Sequence, residues 1–114
     1  MKPGRYNLNL TRGDTFALML AYKAGGLPVD LTGATVRMRL VNPSDGAFVH
    51  EATTANEQIA ITQAEGRIDI QIPSHVTALW PARQLSYDLE VTFPGGRVST
   101  LMAGKLQVTQ DVTR

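Results

Sequence analysis

The chain has no cysteine among its 114 residues, which excludes a disulfide scaffold, a thiol nucleophile and thiolate-bound zinc. The fold must stand on packing alone. Charge of one sign is lacking as well: eleven Lys and Arg stand against ten Asp and Glu, for a formal net charge of +1, with the signs interspersed. No basic stripe for nucleic acid results. Long apolar runs are absent too, since nothing approaches the roughly 20 residues needed to cross a bilayer as a helix. Met1-Lys2-Pro3-Gly4-Arg5 leads straight into alternating Asn and Leu, without the apolar core of a signal peptide. These absences predict a soluble chain, complete or nearly so as written, with neither a nucleic-acid nor a membrane partner. A length of 114 residues suits a single domain over 1–114, able to bury roughly 65% of its extended surface.

What the sequence does have is period-two alternation, the spacing that puts successive side chains on opposite faces of a sheet. Val36, Met38 and Leu40 alternate with Arg37, Arg39 and Val41, and Ile68, Ile70 and Ile72 alternate with Arg67, Asp69 and Gln71. Leu85, Tyr87, Leu89, Val91 and Phe93 continue the pattern, Pro94-Gly95-Gly96 reverses the chain, and Val98, Thr100, Met102, Leu106 and Val108 return on one parity. A long hairpin follows, with Gly104 marking a bulge or a close backbone approach. Thr15 to Tyr22 is almost continuously apolar, which predicts a central strand or one covered on both faces. Gly25 to Pro28, Asp30 to Gly33 and Asn42 to Gly46 carry turn chemistry, the last closing a hairpin onto a strand at Phe48 to Thr53.

One segment has helical spacing. Ser74 is placed to cap a turn through its hydroxyl, Val76, Leu79 and Trp80 follow, and Pro81 ends the run. The expectation is an all-β chain: an antiparallel, immunoglobulin-like β-sandwich of seven or eight strands with one short helix near 74–80, and Trp80 covering an open end of the core.

Candidates for chemistry are few. His50 and His75 are the two histidines, and neither stands in a catalytic or zinc-binding spacing. Both are expected at the surface, His75 beside the helix start and His50 on a strand. Asp88 and Glu90 share one strand face, a geometry that serves calcium sites and glycosidase pairs, but that face is the polar one. Arg12-Gly13-Asp14 matches an adhesive tripeptide, yet the apolar strand after it favours a bend in which Gly13 supplies the turn and Asp14 caps it. Gly25-Gly26 and Gly95-Gly96 lie between strands and make no phosphate loop. The sequence therefore assigns no catalytic, cofactor-binding or metal residues, and no cofactor.

Gly4-Arg5-Tyr6-Asn7-Leu8, Arg12-Gly13-Asp14-Thr15-Phe16, Val29-Asp30-Leu31-Thr32-Gly33-Ala34-Thr35-Val36, Tyr87-Asp88-Leu89-Glu90-Val91 and the ending from Gly104-Lys105-Leu106 to Asp111-Val112-Thr113-Arg114 together resemble small tail and baseplate proteins of tailed phages and prophages. They are similar to the N-terminal domain of siphophage upper baseplate proteins, an immunoglobulin-like sandwich that anchors a receptor-binding apparatus. The resemblance implies a non-catalytic virion structural module, assembled in the bacterial cytoplasm and held by other tail or baseplate proteins. Self-association with ring symmetry is a further expectation, and Tyr6 to Leu10, without charge or proline, is the segment least protected if it lies on a sheet edge. Two other readings come from the residues: a carbohydrate- or host-surface-binding module using the Gly25–Pro28 and Asn42–Gly46 loops with Phe48, and a hydrolase using Asp88 and Glu90.

Overall fold

The computed structural model describes residues 4–112. Met1-Lys2-Pro3 and Thr113-Arg114, the two chain ends read above, lie outside the described residues. Two sheets pack face to face. One has the order β1-β11-β10-β6-β7, with β2 also on β11, and the other has the order β3-β9-β8.

The strands of the first sheet are β1 (Gly4–Arg5), β2 (Leu8–Thr11), β6 (Thr35–Val41), β7 (Phe48–Thr53), β10 (Gln84–Thr92) and β11 (Val98–Thr109). Those of the second are β3 (Phe16–Ala21), β8 (Ile59–Thr62) and β9 (Arg67–Ile72). A small hairpin of β4 (Lys23–Ala24) and β5 (Leu27–Pro28) stands apart, turned by Gly25-Gly26, and completes the strand set. A short 3-10 turn (Gln63–Glu65) and one α-helical turn, α1 (Ser74–Thr77), are the helical elements among the described residues. In an immunoglobulin domain one sheet holds strands A, B, E and D. Here β3, β9 and β8 take the places of B, E and D, and the place of A beside β3 is open.

The alternating segments bury one parity as expected. Val36, Met38, Leu40, Ile68, Ile70, Leu85, Tyr87, Leu89 and Val91 all lie in a core shared by the two sheets. Pairing is antiparallel except along the first segment, where Gly4 lies against Met102 and Leu8 against Leu106, parallel to β11. β1 and β2 thus form one interrupted edge strand with a constant register.

Several expectations need correction. Of the two alternatives at Gly104 the close approach holds, and the bulge in the β10–β11 hairpin lies three residues earlier: Leu89 pairs with Met102 while Glu90 pairs with Thr100. Leu101 is the extra residue, so Leu101 and Met102 are both buried and the inward parity switches there. Val98 therefore faces out, 54% exposed. Gly104 makes the close approach, since a Cβ on it would lie 2.2 Å from the Tyr6 carbonyl oxygen. β3 is neither central nor doubly covered. It is an edge strand with Phe16, Leu18 and Leu20 turned inward and Met19 57% exposed on the other face.

The helical turn also differs in its cap. Pro73 is the N-cap residue and no side chain caps it. The hydroxyl that matters belongs to buried Thr77, which donates to the Asp14 carbonyl at 2.7 Å, with the Ser74 carbonyl at 3.2 Å. That bond ties α1 to the bend between β2 and β3. Trp80 follows, 3% exposed, as a lid on the core.

Candidate functional site

The sandwich is incomplete at one place. Beside the open edge of β3, a cleft of about 500 Å³ runs between the two sheets. Leu18, Leu20 and Tyr22 line it from one side, and Tyr6, Leu8 and Leu101 from the other. The cleft is mainly apolar, with Lys23 at one end. Leu8, Leu18, Leu20 and Tyr22 pack on the core but stay only partly buried, because no strand lies over them.

The far wall is held firmly. Tyr6 donates its backbone N–H to the Ala103 carbonyl at 3.1 Å, and its own carbonyl accepts the Tyr87 hydroxyl at 2.8 Å. Tyr87 is buried on β10, on the other side of β11 in the same sheet. Burial, and secondarily the nearby Tyr6 phenol, raises the Tyr87 hydroxyl above its ordinary pKa of 10.0, so it remains a donor throughout the physiological range. The absent side chain of Gly104 makes room for the Tyr6 backbone. Two sheet edges, β1/β2 and β3, thus flank one apolar cleft.

The residues weighed for chemistry lie elsewhere and are not brought together. Asp88 and Glu90 stand on the outer face of the large sheet, opposite Arg39 and Arg37 respectively. Arg37 pairs with Glu90 at 2.6 Å and with Glu51 at 3.8 Å. Partial desolvation, with a smaller contribution from Glu90, raises the Asp88 carboxyl, while Arg37 and Arg39 pull it down. This is a solvated ladder of alternating charge. Among the described residues no cluster of three or more His, Asp or Glu could hold a metal ion.

His75 is exposed. His50, expected at the surface, is half-buried instead: its Nε2 lies 2.7 Å from the Gln58 amide oxygen, and its ring packs 5.6 Å from that of Trp80. Trp80 shields one face of the ring, which the sequence could not show because the two residues are thirty positions apart. Arg12-Gly13-Asp14 forms the bend between β2 and β3, with Gly13 at a φ of 91° and Arg12 paired to Asp111 at 3.5 Å. Phe48 beside the Asn42–Gly46 turn is 58% exposed, with the Arg39 guanidinium 5.6 Å from its ring centre. No described helix is long and apolar enough to cross a membrane.

Solved structures that share this architecture include three very different proteins. The N-terminal domain of phage TP901-1 ORF48 superposes with a TM-score of 0.60 at 15% identity, over 95% of this chain and 90% of that one. CopC from Methylosinus trichosporium OB3b gives 0.52 at 9% identity, over 95% and 88%. A chicken TCR gives 0.58 at 12% identity, over 97% of this chain and 56% of the other. At these identities the likeness is one of fold, and three such different proteins show that the fold does not choose a function. The TCR match agrees with the immunoglobulin-like sandwich, and the resemblance to phage tail and baseplate proteins is met by a phage domain of the same fold. No curated protein matches the sequence significantly. The LtfC-like family matches residues 2–109, nearly the whole of the two-sheet framework and both walls of the cleft, so the chain belongs to the LtfC-like β-sandwich domain family.

Proposed function

We propose that the chain is a non-catalytic structural module of a phage or prophage tail, serving at baseplate or fibre attachment through protein–protein contacts. In this reading residues 1–114 act as one sandwich domain that needs no cofactor or metal. It joins the virion tail during assembly in the bacterial cytoplasm, held by other tail or baseplate proteins. The observation that carries the reading is the apolar cleft flanked by two unpaired sheet edges, a surface suited to accepting protein backbone. Its likeness in fold to a phage protein domain supports the setting. The experiment is particle labelling: an epitope-tagged chain expressed with its native neighbours should co-sediment with assembled tails, and gold-conjugated antibody should mark one fixed position on them. Label only in the soluble fraction would remove the assembly role.

Exposed Phe48 beside the Asn42–Gly46 turn favours a second reading, carbohydrate or host-surface binding by aromatic stacking. It is the weaker one, because Trp80, which lines the same depression as Phe48, is buried and has little surface to offer for stacking. Specific signal on a glycan array, lost in Phe48→Ala, would promote it. The hydrolase reading has no support in the geometry, since Asp88 and Glu90 sit in an ionic ladder on an open sheet face.

A further inference from the structure

The two sheets leave four outer edges among the described residues: β1/β2, β7, β3 and β8. Three are blunted. β1/β2 is interrupted at Tyr6-Asn7 and carries Arg5, β7 carries Glu51 and a register shift against β6, and β8 is only four residues long. β3 differs from all of them. Its six residues, Phe-Ala-Leu-Met-Leu-Ala, hold no charge, proline or glycine, and pair with β9 in an unbroken register from Phe16–Ile72 to Ala21–Arg67. An edge of this kind is a template for another strand.

The free backbone groups on that edge can be identified. Tyr22 donates its N–H to the Gly66 carbonyl, in line with the β3–β9 register. Hydrogen-bonded pairs alternate in an antiparallel ladder, so Leu20, Leu18 and Phe16 also point their backbone groups toward β9. Gln71 agrees from the other side: it bonds Gln58 beyond β8, leaving the even-numbered residues of β9 for β3. The N–H and C=O groups of Ala17, Met19 and Ala21 therefore face outward.

From this pattern we infer that a second copy of the chain docks on β3, antiparallel and centred on Met19, so that the two three-stranded sheets fuse into one continuous sheet across a twofold axis. The inference rests on the same cleft and β3 edge as the tail-module reading and names a second copy as their occupant; the dimer measurement below tests it apart from the particle labelling that tests that reading. The register is self-complementary. Met19 meets Met19 of the second copy, and Ala17 meets Ala21, so every outward backbone group finds a partner in about six inter-copy hydrogen bonds. The inner face matches as well: Leu18 lies beside Leu20 of the second copy, and both extend over the cleft that leaves Leu8 and Tyr22 half-covered. Charge is complementary at the ends. Asp14 precedes β3 and Lys23 follows it, so in this register each Lys23 arrives where the other copy's β3 begins, next to that copy's Asp14. A closed twofold contact also consumes the edge and prevents open-ended stacking.

The experiment uses the full chain. Sedimentation velocity across a dilution series should show a reversible dimer for the wild type. Met19→Glu places like charges directly opposite each other on a side chain already exposed in one copy. It should raise the dimer dissociation constant roughly tenfold or more, with the circular dichroism spectrum unchanged. Met19→Lys should do the same, and an equimolar mixture of the two variants should regain the dimer. A folded wild type that stays monomeric at millimolar concentration overturns the inference. So does a dimer indifferent to both variants, which would place self-association on another edge such as Tyr6 to Leu10. A monomer in which Met19→Glu blocks docking of a different tail protein would likewise overturn it, making the occupant a heterologous strand.

Discussion

Tyr87 does more for the molecule than fill its core, because its hydroxyl fastens the first strand to the large sheet through the Tyr6 carbonyl. Tyr87→Phe leaves that carbonyl without its buried donor, and should cost ~1–3 kcal/mol in a urea titration. The same group sets a pH dependence. Its pKa is raised in the folded state, so the stabilisation is complete below the ordinary phenol value and is lost as pH climbs through the raised one. Alkaline titration of stability should therefore be less steep in Tyr87→Phe than in the wild type. Gly104→Ala attacks the same junction sterically, since its Cβ meets the Tyr6 carbonyl at 2.2 Å. It should destabilise by about 1–3 kcal/mol and release the Tyr6 amide to faster hydrogen exchange. Asp88→Asn points the other way. The Asp88 carboxyl titrates above its ordinary value, so its ionised form is disfavoured by the fold at neutral pH, and neutralising it should leave stability equal or slightly higher. A loss of several kcal/mol would mean that Asp88 has a buried role.

Among the elements, β6, β9 and β10 were legible in the sequence because each separates polar and apolar residues by parity, and their inward residues are buried. Ile70→Ala on β9 should cost ~2–5 kcal/mol by leaving a cavity in that shared core. Loss of the exposed Arg37–Glu90 pair should cost under about 1 kcal/mol in a double-mutant cycle. β3 was not legible, because Ala17, Met19 and Ala21 are apolar on the outward parity as well. An edge strand that awaits a partner reads like a covered one. The bulge at Leu101 was hidden for a similar reason, as Leu101 and Met102 are adjacent and both apolar, so either parity could have been the inward one. β8 escaped notice because it is four residues long and fully buries one side chain, Ile59. Thr77 gave no local signal, because its partner is the Asp14 carbonyl 63 positions away. The cleft was legible only in part: Tyr6 to Leu10 stood out as an unprotected edge, while its other wall was taken for interior.

At the scale of the whole molecule, a sandwich of 42 × 25 × 24 Å carries a solvated ladder of paired charge on the outer face of its large sheet, a further ion pair, Arg67–Asp69, on the other sheet, and an apolar cleft between two edges. The cleft and its two flanking edges are the features on which the proposed tail-module reading rests. The most direct test is quantitative: purify assembled tails from the host that encodes the chain, and count its copies per particle by isotope-standard mass spectrometry. The account predicts a fixed whole-number stoichiometry that survives high-salt washing, as apolar and backbone-mediated contacts do. Absence of the chain from particles that are otherwise complete and infectious would contradict it.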